Sequence, residues 1–300
     1  MRVFVTGASG GIGSAVVEKL LQENFTVACL VRDENISLDS RITKIKGDLQ
    51  EISAISSALN DFKPETIVHL AWIGVDQKEK SNPNQIFNLQ AATDLLVLGK
   101  QAGVKNFIGM GSESEYGIQG RKLDETAKTL PISKYAIAKL ATGLLCEKLC
   151  HDLDIKYVWL RLFSSYGPRD RAGSLMSLLI KTLLAGKPMS LSKCEQVWDY
   201  VYVKDIADLI CLIAKDVKAT GVFNLGGGHA RPLMETVLKI RELIGSDAEL
   251  KFGEIPYGPT TNMHLEADIS KLKRSYDWAP KTSLEEGLRE TISWHKGQKV

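Results

Sequence analysis

Long apolar runs are missing from this 300-residue chain: nowhere does one reach the roughly 18 residues that a membrane-spanning helix needs, so no membrane partner is expected. The first residues, Met1-Arg2-Val3-Phe4-Val5-Thr6-Gly7, carry one basic side chain, but their apolar stretch meets a glycine turn after three residues, too soon for a secretion-signal core. A cytoplasmic location is therefore the expectation. Charge of one sign is missing too. The 38 Lys and Arg nearly balance the 36 Asp and Glu and are interspersed with them, which argues against a nucleic-acid-binding face. Cysteine is scarce: Cys29, Cys146, Cys150, Cys194 and Cys211 are odd in number and lack paired metal-ligand spacing, which suits a reducing compartment better than a disulfide framework. Cys146, Cys150 and His151 share a helical stretch, yet burial is the commoner fate of free cysteine, and no metal site is expected.

What is present is an ordinary globular composition, 44% hydrophobic and 25% charged, which can bury a large core. Apolar runs alternate with amphipathic stretches, the pattern of parallel strands joined by crossover helices. Strands are predicted at 2–6, 25–31, 42–46, 66–71, 106–110 and 156–162, with helices at 12–23, 52–60, 83–101 and 133–151. This is an α/β chain with a doubly wound parallel sheet. After Ser164 the rhythm changes and a smaller C-terminal α/β lobe begins. The expected division gives 1–163, with 203–228 returning, to the first domain, and 164–202 with 229–300 to the lobe. A strand over Val197–Val203 and a helix over Ile206–Lys215 are expected to rejoin the sheet, with helices over 233–244 and 284–296 outside it.

Strand one runs into Thr6-Gly7-Ala8-Ser9-Gly10-Gly11-Ile12-Gly13 and then a helix. Gly7 permits the tight turn, Gly10 lets a pyrophosphate approach the backbone, and Gly13 lets the helix pack on the strand. The free N–H groups and dipole of the helix start would face the phosphates, so Ser9, Gly11 and Ile12 join the expected contacts. Strand two ends in Val31-Arg32-Asp33. An acid there suits the ribose hydroxyl of NAD and an arginine the 2′-phosphate of NADP; with Arg32 at the expected strand end, NADP(H) is favoured and NAD(H) stays open. Asp48-Leu49 is the candidate for the adenine edge.

Tyr135 and Lys139 are four residues apart in a predicted helix and so share a face. A phenol with a pKa near 10 is a poor proton carrier at neutral pH, and a nearby ammonium favours its ionised form.

With these residues in view, the chain resembles the extended short-chain dehydrogenase/reductase family, also called the NAD-dependent epimerase/dehydratase family. The resemblance runs nearly end to end. It rests on the glycine turn, Asp48-Leu49, His69-Leu70-Ala71, Asn88, Ser112 through Tyr116-Gly117, Tyr135 and Lys139, Leu160-Arg161-Leu162-Phe163, Tyr166-Gly167-Pro168, Asp199-Tyr200-Val201 and Phe223-Asn224-Leu225-Gly226. It implies that Tyr135 exchanges a proton with a sugar hydroxyl or ketone, that Lys139 holds the nicotinamide ribose and lowers the tyrosine pKa, and that Ser112 hydrogen-bonds the reacting oxygen. Such a set answers the charge that grows on oxygen during hydride transfer. Leu70 and Ala71 would line the cofactor. A homodimer through the two long helices is also implied.

Departures from the family pattern concern the substrate. The acid that dehydratases carry two places after the catalytic Ser or Thr is Ser114 here, with Glu113 beside it; Glu115 is expected to be a helix cap or a solvated charge. An arginine usual before Asp-Tyr-Val is Trp198, the usual asparagine after the Leu-Arg-x-Phe run is Ser164, and Tyr257-Gly258-Pro259-Thr260-Thr261 lacks a second arginine. Lys193, Arg169, Arg171 or Arg231 would have to hold a diphosphate instead. Trp72 stands where a substrate loop should begin, so Trp72, Glu113, Ser164, Arg171, Lys193 and Trp198 are the substrate candidates. The function expected is a 4-ketoreductase acting on a nucleotide-linked sugar, with a 4-epimerase retaining NAD as the alternative and a dinucleotide-sensing regulator as a remote third.

Overall fold

The computed structural model describes residues 1–76 and 78–298; the last two positions of the expected 229–300 segment lie outside them. Seven parallel strands form the central sheet: β1 (Arg2–Thr6), β2 (Thr26–Val31), β3 (Thr43–Lys46), β4 (Thr66–His69), β5 (Asn106–Ser112), β6 (Lys156–Leu162) and β7 (Gly221–Leu225). Their order is β7-β6-β5-β4-β1-β2-β3. Strand order reverses between β1 and β4, and in open α/β sheets a ligand crevice lies beyond the carboxyl ends of the strands at such a point.

Helices cover both faces, so the inner strands are largely apolar, whereas edge strand β3, Thr-Lys-Ile-Lys, buries only Ile45. Val3 and Val5 face a core completed by Val16 and Leu20 of α1 (Gly11–Gln22) and later by Ile206 and Ile210. Alternate residues such as Phe4, Ile67, Phe107 and Trp159 face the opposite core, with Leu59 of α2 (Ser56–Phe62), Leu95 of α3 (Ile86–Gln101) and Cys146 and Cys150 of α4 (Lys134–Asp152). Both of those thiols are buried, and the His151 ring beside them is exposed.

A third core binds α5 (Leu175–Leu184) to later helices of the lobe through Leu179, Leu183, Val237, Ile240 and Leu288. The chain departs from the predicted pattern in more than one place: the seventh strand is Gly221–Leu225, and the helix expected over 52–60 begins only at Ser56. The expected strand over Val197–Val203 does not join the central sheet. Val197–Trp198 pairs with Arg231–Pro232 and His264–Ala267, whereas Tyr200–Tyr202 pairs with Ser164–Tyr166. Asp199 is the cause of the break: its fully buried carboxylate accepts N–H bonds from Gly227 (2.8 Å), Gly228 (3.1 Å) and Ala267 (3.0 Å), pinning the joint between the two short ladders. The helix that follows, α6 (Val203–Lys215), does return, packing beside α1 on the sheet.

Candidate active site

A cleft of about 1020 Å³ runs along the carboxyl edge of the sheet. The glycine turn forms one end. Gly7 has φ +80°, and a side chain there would meet Ala71 N at 2.8 Å; one at Gly13 would lie 2.0 Å from Gly7 O. The same space at Gly10 is open apart from Gly7 O at 3.4 Å. Helix α1 starts from Gly10 without a side-chain cap and without an acidic residue in its first turn. Its amides are therefore free to donate to phosphate oxygens, and the missing Cβ atoms leave a cradle open to a dinucleotide pyrophosphate.

Ser9, Gly11, Ile12, Arg32, Asp48, Leu49, Leu70 and Ala71 line the same cleft. Strand β2 ends at Val31, so Arg32 is the first residue beyond it, exposed at the cleft. Asp33 is engaged in a turn, its Oδ1 accepting from Asn35 N (2.9 Å) and Asn35 Nδ2 (3.1 Å). Asp48 likewise caps the next turn through Gln50 N (2.9 Å). His69 lies beneath: its Nδ1 is 2.9 Å from the Thr6 hydroxyl, and burial pushes its pKa down to about 3, so the ring is neutral and structural rather than a base.

Ser112 ends β5, while Tyr135 and Lys139 occupy the first turns of α4, which is capped by Ser133 Oγ accepting from Ala136 N at 3.1 Å. All three side chains open on the cleft. Lys139 Nζ donates to Met110 O at 2.6 Å and sits 3.6 Å from the Trp72 ring centroid. Burial pushes its pKa down to about 7, against the pull of Glu115 and Glu113. The phenol of Tyr135 is raised above its ordinary value, first by burial and then by the Glu113 charge, with Ser112 and Arg171 opposing. Lys139 Nζ, bonded to Met110 O and over Trp72, lies 5.9 Å from the Tyr135 ring centroid, so the two side chains are near neighbours at the cleft.

The turn after Ser112 contains what the sequence reading missed. Glu115 is the helix cap that was one of its two expected roles, completing a capping box with Ser112, but it is not solvated and it does more than cap. It is 1% exposed, accepts Ser112 N (2.9 Å) and Trp159 Nε1 (3.0 Å) on one oxygen and Arg161 Nε (2.7 Å) on the other. Its chain neighbour Glu113 accepts the hydroxyls of Ser112 (2.7 Å) and Ser114 (3.0 Å), and burial raises its pKa. No local sequence signal announces the pairing of Glu115 with Arg161, because the partners come from separate segments.

Trp72, Glu113, Ser164, Arg171 and Trp198 also line the cleft. Trp72 is held by its Nε1 donating to Gln85 Oε1 (2.8 Å), and the loop behind it by Asn88, whose Oδ1 accepts from Ile73 N (2.6 Å). Trp198 Nε1 donates to Ser164 Oγ at 2.8 Å, so the two departures from the family pattern are bonded to each other. Arg171 lines the cleft and donates to Val75 O (2.8 Å), and Arg169 lies beside the glycine turn. Lys193 does not belong: it is exposed, outside the cleft and near Gly253, although Gln196 and Trp198 further along the same segment line the cleft. Arg231 lines a separate pocket of about 130 Å³ behind Trp198.

The family model described as NAD dependent epimerase/dehydratase matches residues 3–226. The chain belongs to that family. It is an enzyme of the short-chain dehydrogenase/reductase class with that family's Rossmann-type fold. A curated relative, an uncharacterized UDP-glucose epimerase of Bacillus subtilis, is 30% identical, with 98% of each chain covered. Among solved structures, the UDP-glucose 4-epimerase of Thermotoga maritima, in complex with UDP-glucose, superposes with a TM-score of 0.90 at 27% identity, covering 99% of each chain. The UDP-glucose 4-epimerase of Thermus thermophilus, in complex with NAD, gives 0.89 at 26%, covering all of both chains. Among the described residues, no helix is long and apolar enough to cross a membrane.

Proposed function

We propose that this enzyme is a 4-epimerase of a nucleotide-linked sugar that keeps NAD bound through the reaction. The convergence of Ser112, Tyr135 and Lys139 on a cleft that begins at the glycine turn carries this reading. Epimerases among the relatives support it over the 4-ketoreductase expected from Arg32, and their NAD complex supports NAD over NADP. Bound in that cradle, a nicotinamide cofactor would supply the acceptor and donor of hydride needed for inversion at C4 of the sugar.

The chain's own residues do the rest. The turn at Gly7–Gly13 and the start of α1 hold the pyrophosphate, and Lys139 faces the ribose. Tyr135 moves the proton of the C4 hydroxyl, and Ser112 orients that oxygen. Trp72 and Trp198 supply flat walls for the sugar and its base, and Arg171 with Arg169 replaces the arginines missing from the family pattern as the diphosphate handle. Residues 1–163 with 203–228 serve the cofactor, and 164–202 with 229–300 the sugar. Apolar side chains exposed on α3 and α4, among them Phe87, Val97, Leu144 and Leu145, support a homodimer through those helices.

Cofactor stoichiometry tests the reading. With a panel of UDP-sugars, an epimerase converts many equivalents of substrate per bound NAD and releases none. Stoichiometric consumption of added NADPH would establish the ketoreductase instead.

A further inference from the structure

One indole touches both members of the Tyr135–Lys139 pair. Lys139 Nζ lies 3.6 Å from the Trp72 ring centroid, and the Tyr135 ring meets the same indole at 77° with centroids 6.0 Å apart. The spacing of Tyr135 and Lys139 on α4 does not foretell either contact, because Trp72 comes from the loop after β4. That loop holds the indole from behind. Trp72 Nε1 donates to Gln85 Oε1 at 2.8 Å, and the buried Gln85 amide is fixed in that orientation because its Nε2 donates to Gly74 O (2.7 Å) and Glu79 O (3.1 Å). Asn88, also buried, clamps the next residue, accepting from Ile73 N (2.6 Å) and donating to Ile73 O (3.0 Å). The ring face is therefore set in place before any ligand arrives.

An ammonium has three N–H bonds to place. Met110 O takes one at 2.6 Å, and the electron-rich face of the indole takes the charge on a second side. The third direction is left for the cofactor ribose or the phenol.

Resting on the epimerase reading, we propose that Trp72 is a positioning residue for the reaction, its indole face keeping the Lys139 ammonium charged and aimed beside Tyr135. Burial works against that charge and pushes the Lys139 pKa down to about 7, where a modest attraction decides which form is present. Around the ammonium, Glu113 and Glu115 face it from the turn after β5, Tyr135 from its own helix and the neutral His69 from β4; Lys80, from the loop before α3, lies over the Tyr135 ring at 5.1 Å. Both carboxylates favour the charge but have their oxygens bonded elsewhere, Glu113 to two serine hydroxyls and Glu115 to Ser112 N, Trp159 and Arg161. The indole is the group in direct contact with the charge.

Fluorination of the indole carbons separates attraction from packing, since it weakens the negative potential of the ring face and keeps the N–H bond to Gln85. With singly, doubly and fourfold fluorinated tryptophan placed at position 72 of the NAD-loaded protein, the Lys139 titration midpoint, read from its 13Cε resonance and assigned with Lys139→Met, should fall stepwise. Trp72→Leu should lower it by roughly one pH unit, and Trp72→Phe by less. The alkaline limb of kcat should move to lower pH in the same order, so that kcat on that limb falls roughly tenfold in Trp72→Leu. A midpoint and a limb that stay in place through the fluorine series would show that the indole only fills space, and would overturn the proposal. The titration needs no turnover, so a protein inactive on every UDP-sugar would refute the epimerase reading while the midpoint still decides the role of Trp72.

Discussion

The two ends of the cleft are built by different means. At the cofactor end the backbone does the work: three glycines let two loops and a helix start approach so closely that a single Cβ at Gly13 would lie 2.0 Å from a carbonyl oxygen. The other end is built by side-chain pairs, Trp198 with Ser164 and Trp72 with Gln85, with the buried pair Glu115 and Arg161 behind them. A backbone cradle tolerates almost no substitution. A side-chain wall depends on both members of each pair, and here Trp198 and Ser164 satisfy one another.

The sharpest way to break the comparison is at the glycines. Gly13→Val should cost on the order of 3 kcal/mol, because overpacking against backbone has no cheap escape. NAD affinity should fall by roughly 100-fold, the equivalent of ~3 kcal/mol. Calorimetric titration with NAD checks it, and near-normal affinity would mean that the turn is looser than its geometry.

Glu115→Gln probes the other end. It leaves the Arg161 guanidinium buried without its charge partner, which should lower stability by about 3 kcal/mol and the melting temperature by roughly 6 °C. Because the same carboxylate accepts the Ser112 amide, kcat should fall as well, by a smaller factor than Gly13→Val lowers NAD affinity. Thermal unfolding followed by circular dichroism measures the first effect, and initial rates measure the second.

Lys139 joins the two ends, and its effect is gradual, visible as pH dependence and smallest within any one pH unit. Its pKa falls from 10.5 in the unfolded chain to about 7 in the folded protein without cofactor. Between those values the unfolded chain binds the proton that the folded chain has given up, so this group's contribution to stability rises with pH across that window and is flat outside it. The stability of the wild type minus that of Lys139→Met should therefore rise from about pH 7 toward 10.5, by at most ~1.4 kcal/mol per pH unit. Denaturant titrations of both proteins across the window would show it, and a flat difference would mean that the ammonium stays charged and solvated.

The same contrast explains what could be read from the sequence. The glycine turn and the Tyr135–Lys139 spacing are local features whose consequences follow from helix and strand geometry alone. The alternating elements likewise predicted the doubly wound sheet, because strands buried on both faces leave continuous apolar runs. Asp199 defeated the strand expected over Val197–Val203, since nothing in the local pattern says that its carboxylate turns inward to three distant amides. Lys193 lies outside the cleft although Gln196 and Trp198, a few residues on, line it. The capping role of Glu115 could be read locally, but its ion pair could not, because Arg161 lies on a distant strand.

Return of hydride to the carbon it left is the heart of the epimerase reading, and isotope tracing measures it directly. The enzyme would be given a UDP-sugar deuterated at C4, and the product analysed by proton magnetic resonance. Deuterium retained at C4 of the inverted sugar, with no exchange into added NAD, is the expected result. A product carrying solvent or added-cofactor hydrogen at C4 would contradict it.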